Sequence, residues 1–433
     1  MPPLVWIHGH DALQSNWIKS SDFHPSLCAF YWSTSMNINP LPLSPTFPSR
    51  LHWQPACTLG FPFVTEISDA WSVVGSGIGS GSNSLKTATG EYFERKHFYT
   101  DIMIDTKNTL NYSLNPNEVG YFTTAFAQTS PLQHSSDTLK NHTYNLTKVL
   151  RTSSLTECYI PTACISLNHY KLEDDNSIYP SKDTCGCSFH WNTEKAVFGS
   201  IKECLERQFL TRFWLTGQHM ERLDSEHITN LLKHSRSRHL ADALNKAGDI
   251  TAFDICDPAF PGSCIIVFYG QNNEHRHVKY CTGMAYADTT TRGLEKALEE
   301  LWQTFRFIDL FSSCRGNPNT LNDPYLKHFL NCNTYPCYTE ATTINMASPQ
   351  KKNLRPFNTD ELLLALNDIK IDGYLYIKLT RIGNKTCTFS KYLSPQLFMH
   401  MDNSTCINMH NDYSASFKKH IRPERQKIMV PFP

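Results

Sequence analysis

Glu91-Tyr92-Phe93-Glu94-Arg95 and Glu203-Cys204-Leu205-Glu206-Arg207 are two copies of one pattern, Glu-x-x-Glu-Arg. Each lies in a stretch that predicts a helix, about 84–101 for the first copy and 193–215 for the second. On a helix, residues i, i+3 and i+4 share one face. Each copy therefore aims two carboxylates and one guanidinium in a single direction. Joining the two faces gathers four carboxylates and two arginines. Unpaired carboxylates at close range repel strongly, and a divalent cation is the natural way to hold them together. Guanidiniums beside that cation suit phosphate oxygens. Read singly, either copy is a solvated amphipathic face. Read together, they point to a Mg²⁺–nucleotide site built without a Gly-x-x-x-x-Gly-Lys-Ser/Thr loop.

A third helix, about 291–311, carries Glu300-Leu301-Trp302-Gln303 on one face, with Arg306 a turn further on. Glu300 extends the carboxylate set, and the Gln303 amide suits a base or ribose. Strand-like runs at 158–165, 250–255, 264–269, 278–282 and 374–379 alternate with the helices. This order predicts an α+β layered protein of mixed sheets and long helices, with an internal pseudo-duplication around the two glutamate helices. Residues 1–70, rich in Pro, Ser and aromatics, read as an irregular N-terminal arm, and 71–433 as the functional domain. Gly75-Ser76-Gly77-Ile78-Gly79-Ser80-Gly81-Ser82 reads as a flexible loop feeding the first helix. The ending, Met429-Val430-Pro431-Phe432-Pro433, reads as an extended, stiff tail.

Composition narrows the function classes. The 433 residues carry 40 basic and 40 acidic side chains, a balance that argues against a nucleic-acid or membrane-surface binder. No apolar run is long enough to cross a bilayer, and Met1-Pro2-Pro3-Leu4-Val5-Trp6-Ile7-His8 lacks the basic start and apolar stretch of a secretory signal. The 15 cysteines are odd in number and scattered. Reduced thiols in the cytoplasm are the simplest account. Cys185-Gly186-Cys187 is too tightly spaced for a structural zinc site of its own, and no His/Asn arrangement marks either thiol as a nucleophile. Asp183 and His190 flank that turn, and His190 is a candidate catalytic residue.

Jointly, these motifs resemble the YcaO-domain proteins, in particular the azoline-forming cyclodehydratases of microcin-type bacteriocin biosynthesis. The resemblance rests on Gly90 to Arg95, Asp183 to His190, Glu203 to Arg207, Glu300 to Gln303 and Met429 to Pro433, and covers the chain from about residue 70. It implies a YcaO-type fold and an ATP- and Mg²⁺-dependent enzyme. A Cys, Ser or Thr side chain of a ribosomal precursor peptide attacks the preceding carbonyl, ATP phosphorylates the resulting oxygen, and elimination leaves a thiazoline or oxazoline. By that likeness Glu91, Glu94, Glu203 and Glu206 hold Mg²⁺. Arg95, Arg207, Glu300 and Gln303 line the nucleotide pocket, and the Pro433 carboxylate assists proton transfer. The implied partners are the precursor peptide, a ubiquitin-activating-like, peptide-binding zinc subunit and an FMN-dependent azoline dehydrogenase. The chain departs from the family's common pattern at Ile78 (often Lys), Thr87 (often Ser) and Phe305 (often Arg). Two other readings use the same residues: a non-catalytic nucleotide-binding scaffold, and a YcaO enzyme forming thioamides or amidines. Retention of all four glutamates speaks against the first, and the microcin-type ending speaks for azolines.

Overall fold

The structure, a computed structural model, describes residues 34–38, 49–54, 60–69, 73–321, 323–343 and 352–431. Among these, the strands form three sheets, and each sheet is packed against a long helix. The first sheet is an antiparallel meander of β1 (Thr34–Ile38), β2 (Ser49–Gln54), β3 (Phe63–Ser68) and β4 (Val74–Gly79). Part of the expected irregular arm therefore belongs to a sheet, and so does most of the expected Gly/Ser loop. The glycines of β4 act through close packing. A Cβ at Gly75 would lie 2.2 Å from Ala88 O and 2.3 Å from Tyr92 N, and one at Gly77 would lie 2.1 Å from Ser84 O. Only a bare backbone lets the following helix, α1 (Ser82–Thr100), rest directly on the strand. Thr65 and Ser84 join sheet and helix through their hydroxyls at 2.8 Å.

The second sheet begins with β5 (Thr106–Asn108), β6 (Tyr144–Arg151), β7 (Glu157–Pro161) and β8 (Cys187–His190). From β8 the chain enters α2 (Thr193–Thr216), capped by the Asn192 side chain at its N-terminus and by a left-handed Gly217 at its C-terminus. The third sheet is β9 (Glu221–Leu223), β10 (Asp249–Asp254), β11 (Ser263–Gly270) and β12 (Tyr280–Ala287), followed by α3 (Thr290–Ser313). Finally β13 (Tyr374–Ile382) and β14 (Lys385–Leu393) return to the second sheet, in the order β5-β6-β13-β14-β8. Every residue of β11 and β12 is buried, because the third sheet is covered on both faces. Phe253, Ile266 and Phe268 pack with Leu205, Phe209 and Phe213 of α2, while Ile265 and Val267 pack with Leu294, Leu298 and Leu301 of α3. Burial on both sides makes β11 read as a continuous apolar run, which is why it is legible in the sequence, whereas the expected strand at 278–282 meets only the first three residues of β12.

An internal duplication is present, but it relates α1 to α3 rather than α1 to α2. Gly283 on β12 does for α3 what Gly75 does for α1. A Cβ there would lie 2.2 Å from Leu301 N and 2.3 Å from Ala297 O. Ala297, Glu300 and Leu301 thus stand where Ala88, Glu91 and Tyr92 stand in the first unit. The repeated unit is a four-stranded antiparallel sheet whose last strand turns into a helix packed on its own glycine.

Candidate nucleotide and metal site

The site lies where three sheet edges meet. β4, β8 and β12 each stand at the end of their sheet's strand order. An edge strand carries backbone N–H groups that its ladder does not use, and a buried N–H requires an acceptor. The helix glutamates supply the acceptors. Glu91 accepts from Ser76 N of β4 at 2.7 Å, and Glu206 accepts from Tyr286 N of β12 at 2.7 Å. The backbone of Phe189 on β8 hydrogen-bonds Glu94, and that of Met284 on β12 hydrogen-bonds Glu300. Four carboxylates carried by three helices are thus each pinned to an edge strand. Glu203 sits electrostatically between Glu94 and Glu206.

Burial and mutual repulsion govern the charge state. Desolvation, then Glu91, pushes the Glu94 carboxyl up to about 8. Desolvation, then Glu206, pushes Glu300 up to about 8. Glu203 is driven well above the ordinary carboxylate range by burial, Glu94 and Glu206. Two lysines temper this. Lys202 Nζ donates to Glu206 at 3.2 Å and to Tyr286 O at 3.2 Å, and buried Lys391 favours the ionised form of Glu94.

The two arginines of the repeated motif have different environments. Arg95 pairs with Glu91 and donates to Val74 O at 2.7 Å, so its guanidinium closes the free edge of β4. Arg207 has 1% of its side chain exposed, and its closest carboxylate oxygen is Glu203 Oε1 at 4.0 Å. Among the described residues neither Nη1 nor Nη2 of Arg207 has a hydrogen-bond partner. Desolvation lowers its pKa to about 10. A buried guanidinium with uncommitted donors is a ready anion receptor. Gln303 donates through Nε2 to the Ser76 hydroxyl, tying α3 to β4. Gln303 also lines a cleft shared with Glu66 of β3, Gln54 of β2 and Arg306 of α3.

The remaining candidates are placed elsewhere. His190 Nδ1 accepts the backbone N–H of Asn192 at 2.9 Å, a local bond at the entry to α2. Among the described residues no carboxylate of the cluster hydrogen-bonds its ring. Cys185 and Cys187 are buried free thiols held well above their ordinary pKa, Cys185 mainly by its contact with Cys204 and Cys187 by desolvation. Neither is a thiolate nucleophile at neutral pH. Pro433 lies outside the described residues. The segment leading to it is docked: Trp214 donates to Ile428 O at 2.9 Å, Val430 N donates to Asn403 at 3.2 Å, and Tyr280 donates to Pro431 O at 3.0 Å. Ile78 packs with the apolar cluster of α3. Glu66, Lys202 and Lys391 escaped the sequence reading because none belongs to a repeated pattern.

These observations decide which chemistry the site accepts. Residues 76–388 match the profile of a family described as YcaO cyclodehydratase, ATP- and Mg²⁺-binding. The chain belongs to the YcaO family. It is 32% identical over 397 residues to the microcin B17-processing protein McbD of Escherichia coli, across 90% of this chain and 98% of that one. The E. coli microcin synthetase McbBCD complex superposes with a TM-score of 0.81 at 30% identity, covering 92% of this chain and all of that one, as does the same complex with pro-MccB17 bound. A heterocyclase in complex with substrate and cofactor, 14% identical with a TM-score of 0.62, covers 88% of this chain and 54% of its own and shares the fold.

The donor set fits the cation of this YcaO family. All of the candidate ligands are carboxylates, the hard oxygen donors that Mg²⁺ prefers. Among the described residues no three acidic, His or Cys side chains converge into a cage for an ion. Mg²⁺ rarely uses such a cage, since it keeps waters and is shared between one or two carboxylates and substrate phosphates. The raised carboxyls make binding pH-dependent, because protons compete with the cation. Mg²⁺–ATP affinity is expected to rise as pH climbs through about 8, where Glu94 and Glu300 give up their protons. The stability of the ligand-free chain runs the other way. A carboxyl raised in the fold stabilises it fully below the unfolded value near 4.5, and that contribution is lost as pH rises through the folded value near 8. Thermal melts from about pH 6 to about pH 9 should show a falling midpoint without ligand. The gap to the Mg²⁺–ATP melt should widen, and a constant gap would count against the cluster as the cation site.

Proposed function

We propose that this chain is the ATP-dependent cyclodehydratase subunit of a multi-subunit synthetase that converts Cys, Ser or Thr of a ribosomal precursor peptide to thiazoline or oxazoline. The observation that carries the reading is the set of helix glutamates pinned to three sheet edges, with the uncommitted Arg207 guanidinium beside them. In this reading Glu91, Glu94, Glu203 and Glu206 hold Mg²⁺, which when bound neutralises the phosphate charge during transfer. Arg207 takes a phosphate oxygen through its two free nitrogens. Arg95 holds β4 and Glu91 in place, and Glu300 and Gln303 close the nucleotide pocket. The peptide oxygen leaves as phosphate and the ring nitrogen loses its proton, so each ring costs one ATP and the peptide loses one water.

The reading includes two further subunits, of the kinds expected from the resemblance: a ubiquitin-activating-like, peptide-binding zinc subunit and an FMN-dependent azoline dehydrogenase. The E. coli relative is found in a complex of that size with a precursor bound. Among the described residues no helix is long and apolar enough to cross a membrane, and the described cysteines are free thiols, which agrees with a cytoplasmic location. Residues 71–433 form the catalytic domain in this reading. The test is mass spectrometry of the precursor incubated with ATP, Mg²⁺, this chain and its partners. Loss of one water mass per ring, matched by ADP release, is expected. ATP turnover without any mass loss would leave a nucleotide-binding scaffold as the better account.

The docked segment before Pro433 supports a role for its carboxylate in proton transfer. Residues appended after Pro433 are expected to cut ring formation steeply while nucleotide affinity is kept. Rings made at the unmodified rate by a folded, extended chain would remove Pro433 from the mechanism.

A further inference from the structure

Two short helices follow α3 in the chain, α4 (Pro324–Asn331) and α5 (Tyr335–Thr342). The turn that joins them brings together two thiols for which the nucleotide site has no use. Cys332 caps the end of α4, and Cys337 lies in the first turn of α5. Thr334 folds the turn back on itself: its N–H donates to Cys332 O at 2.7 Å, and its hydroxyl accepts Cys337 N at 3.4 Å. The two cysteines pack on one apolar core beside Tyr280, and their side chains hydrogen-bond each other. Both are free thiols, Cys332 buried and Cys337 half-buried.

The same turn holds the C-terminal segment by two routes. His328 of α4 contacts Cys332 Sγ through Nε2 at 3.5 Å, and its ring hydrogen-bonds the backbone of Val430 and Met429. Asn333, between the cysteines, accepts Lys279 N at 2.7 Å and Tyr280 N at 3.1 Å. The Tyr280 hydroxyl in turn donates to Pro431 O at 3.0 Å. Whatever moves residues 332–337 therefore acts on both anchors of the segment.

We propose that Cys332 and Cys337 form an oxidation site, closed to a disulfide by a peroxide, and that closure loosens the docked segment 428–431. The accessible partner is also the better nucleophile. The hydrogen bond from Cys332 outweighs burial and, with Thr334, holds the Cys337 thiol down to about 6, whereas Cys332 is held well above the ordinary thiol range. The Cys337 thiolate attacks a peroxide oxygen, the O–O bond breaks, and a sulfenic acid forms with release of water. Cys332 then attacks the sulfenic sulfur, its proton leaves with the hydroxyl as a second water, and the S–S bond closes. Two thiols give up two electrons and hydrogen peroxide takes them. The new bond is about 2 Å long, shorter than any contact between thiols, so closure draws α4 and α5 together and takes Cys332 from His328. In a reducing compartment such a bond is transient, which suits a sensor. Through the role proposed above for Pro433, on which this last step rests, release of the segment slows ring formation reversibly.

The experiment treats the full chain with hydrogen peroxide and then with dithiothreitol. Mass mapping should show the peptide that holds Cys332 and Cys337 losing two hydrogens and regaining them. Amide exchange at Val430, whose N–H is bonded to Asn403, should quicken about tenfold on oxidation, the loss of about one hydrogen bond. Cys337→Ser should show neither change, and Cys332→Ser should leave Cys337 as a sulfenic acid that dimedone captures. Peroxide that oxidises other cysteines and spares this pair overturns the site. A disulfide that leaves Val430 exchange unaltered overturns the link to the segment. Faster exchange with undiminished ring formation upholds the oxidation site and its link, and removes the role of Pro433 instead.

Discussion

Glu203→Gln is expected to lower ATP-dependent ring formation by about 10²- to 10³-fold, the usual cost of removing one preorganised electrostatic group. Glu203 is strongly opposed by its surroundings, with burial, Glu94 and Glu206 all raising its pKa. At a pH where the carboxyl is ionised, a bound cation relieves such repulsion, so its loss should fall on cation binding rather than on folding. The amide is nearly isosteric and uncharged, and the ligand-free fold should be at least as stable as before. The measurable signature is a pair of melts. The parent chain should gain stability from Mg²⁺–ATP by mass action, whereas Glu203→Gln should gain little. Unchanged ATP affinity and turnover would remove Glu203 from the site.

Arg207→Met should separate stability from activity even more sharply. Arg207 is a fully buried cation whose two terminal nitrogens have no hydrogen-bond partner among the described residues. A buried charge without hydrogen bonds destabilises the fold, and replacement by an apolar side chain of similar length is neutral or stabilising. Turnover should nevertheless fall by about 10²- to 10³-fold, because the phosphate loses its preplaced donors. Arg95→Met supplies the contrast. Arg95 is spent on Val74 O and Glu91, so its loss should lower the melting point as well as the rate. An Arg207→Met chain that melts early, or that turns over normally, would contradict the anion-receptor role.

The parts of this protein that were legible in the sequence share a cause. The helices of Glu91, Glu203 and Glu300 were readable because three- and four-residue spacing maps onto one helix face whatever the fold. Strand β11 was readable because burial on both faces leaves an unbroken apolar run, whereas Thr282 and Gly283 interrupt β12, of which the expected strand 278–282 met only the first three residues. Strand β4 was not readable. Its glycines look like a loop until the helix that packs on them is in place, and the prolines before it masked the alternation of β2 and β3. For His190 the tertiary structure adds one local contact, its Nδ1 accepting the backbone N–H of Asn192 at the entry to α2.

The sequence by itself determined the ingredients of the site: two Glu-x-x-Glu-Arg faces and a third Glu/Gln face. The spacing within each helix follows from backbone geometry, which is local. Only the tertiary structure decided that α1 pairs with α3 in the duplication, that Arg95 is committed while Arg207 is not, and that Glu66 joins the cleft. Those facts depend on which strands end up as sheet edges. The unpaired N–H groups of β4, β8 and β12 capture Glu91, Glu94, Glu206 and Glu300, and an edge exists only once every other strand has found its neighbour.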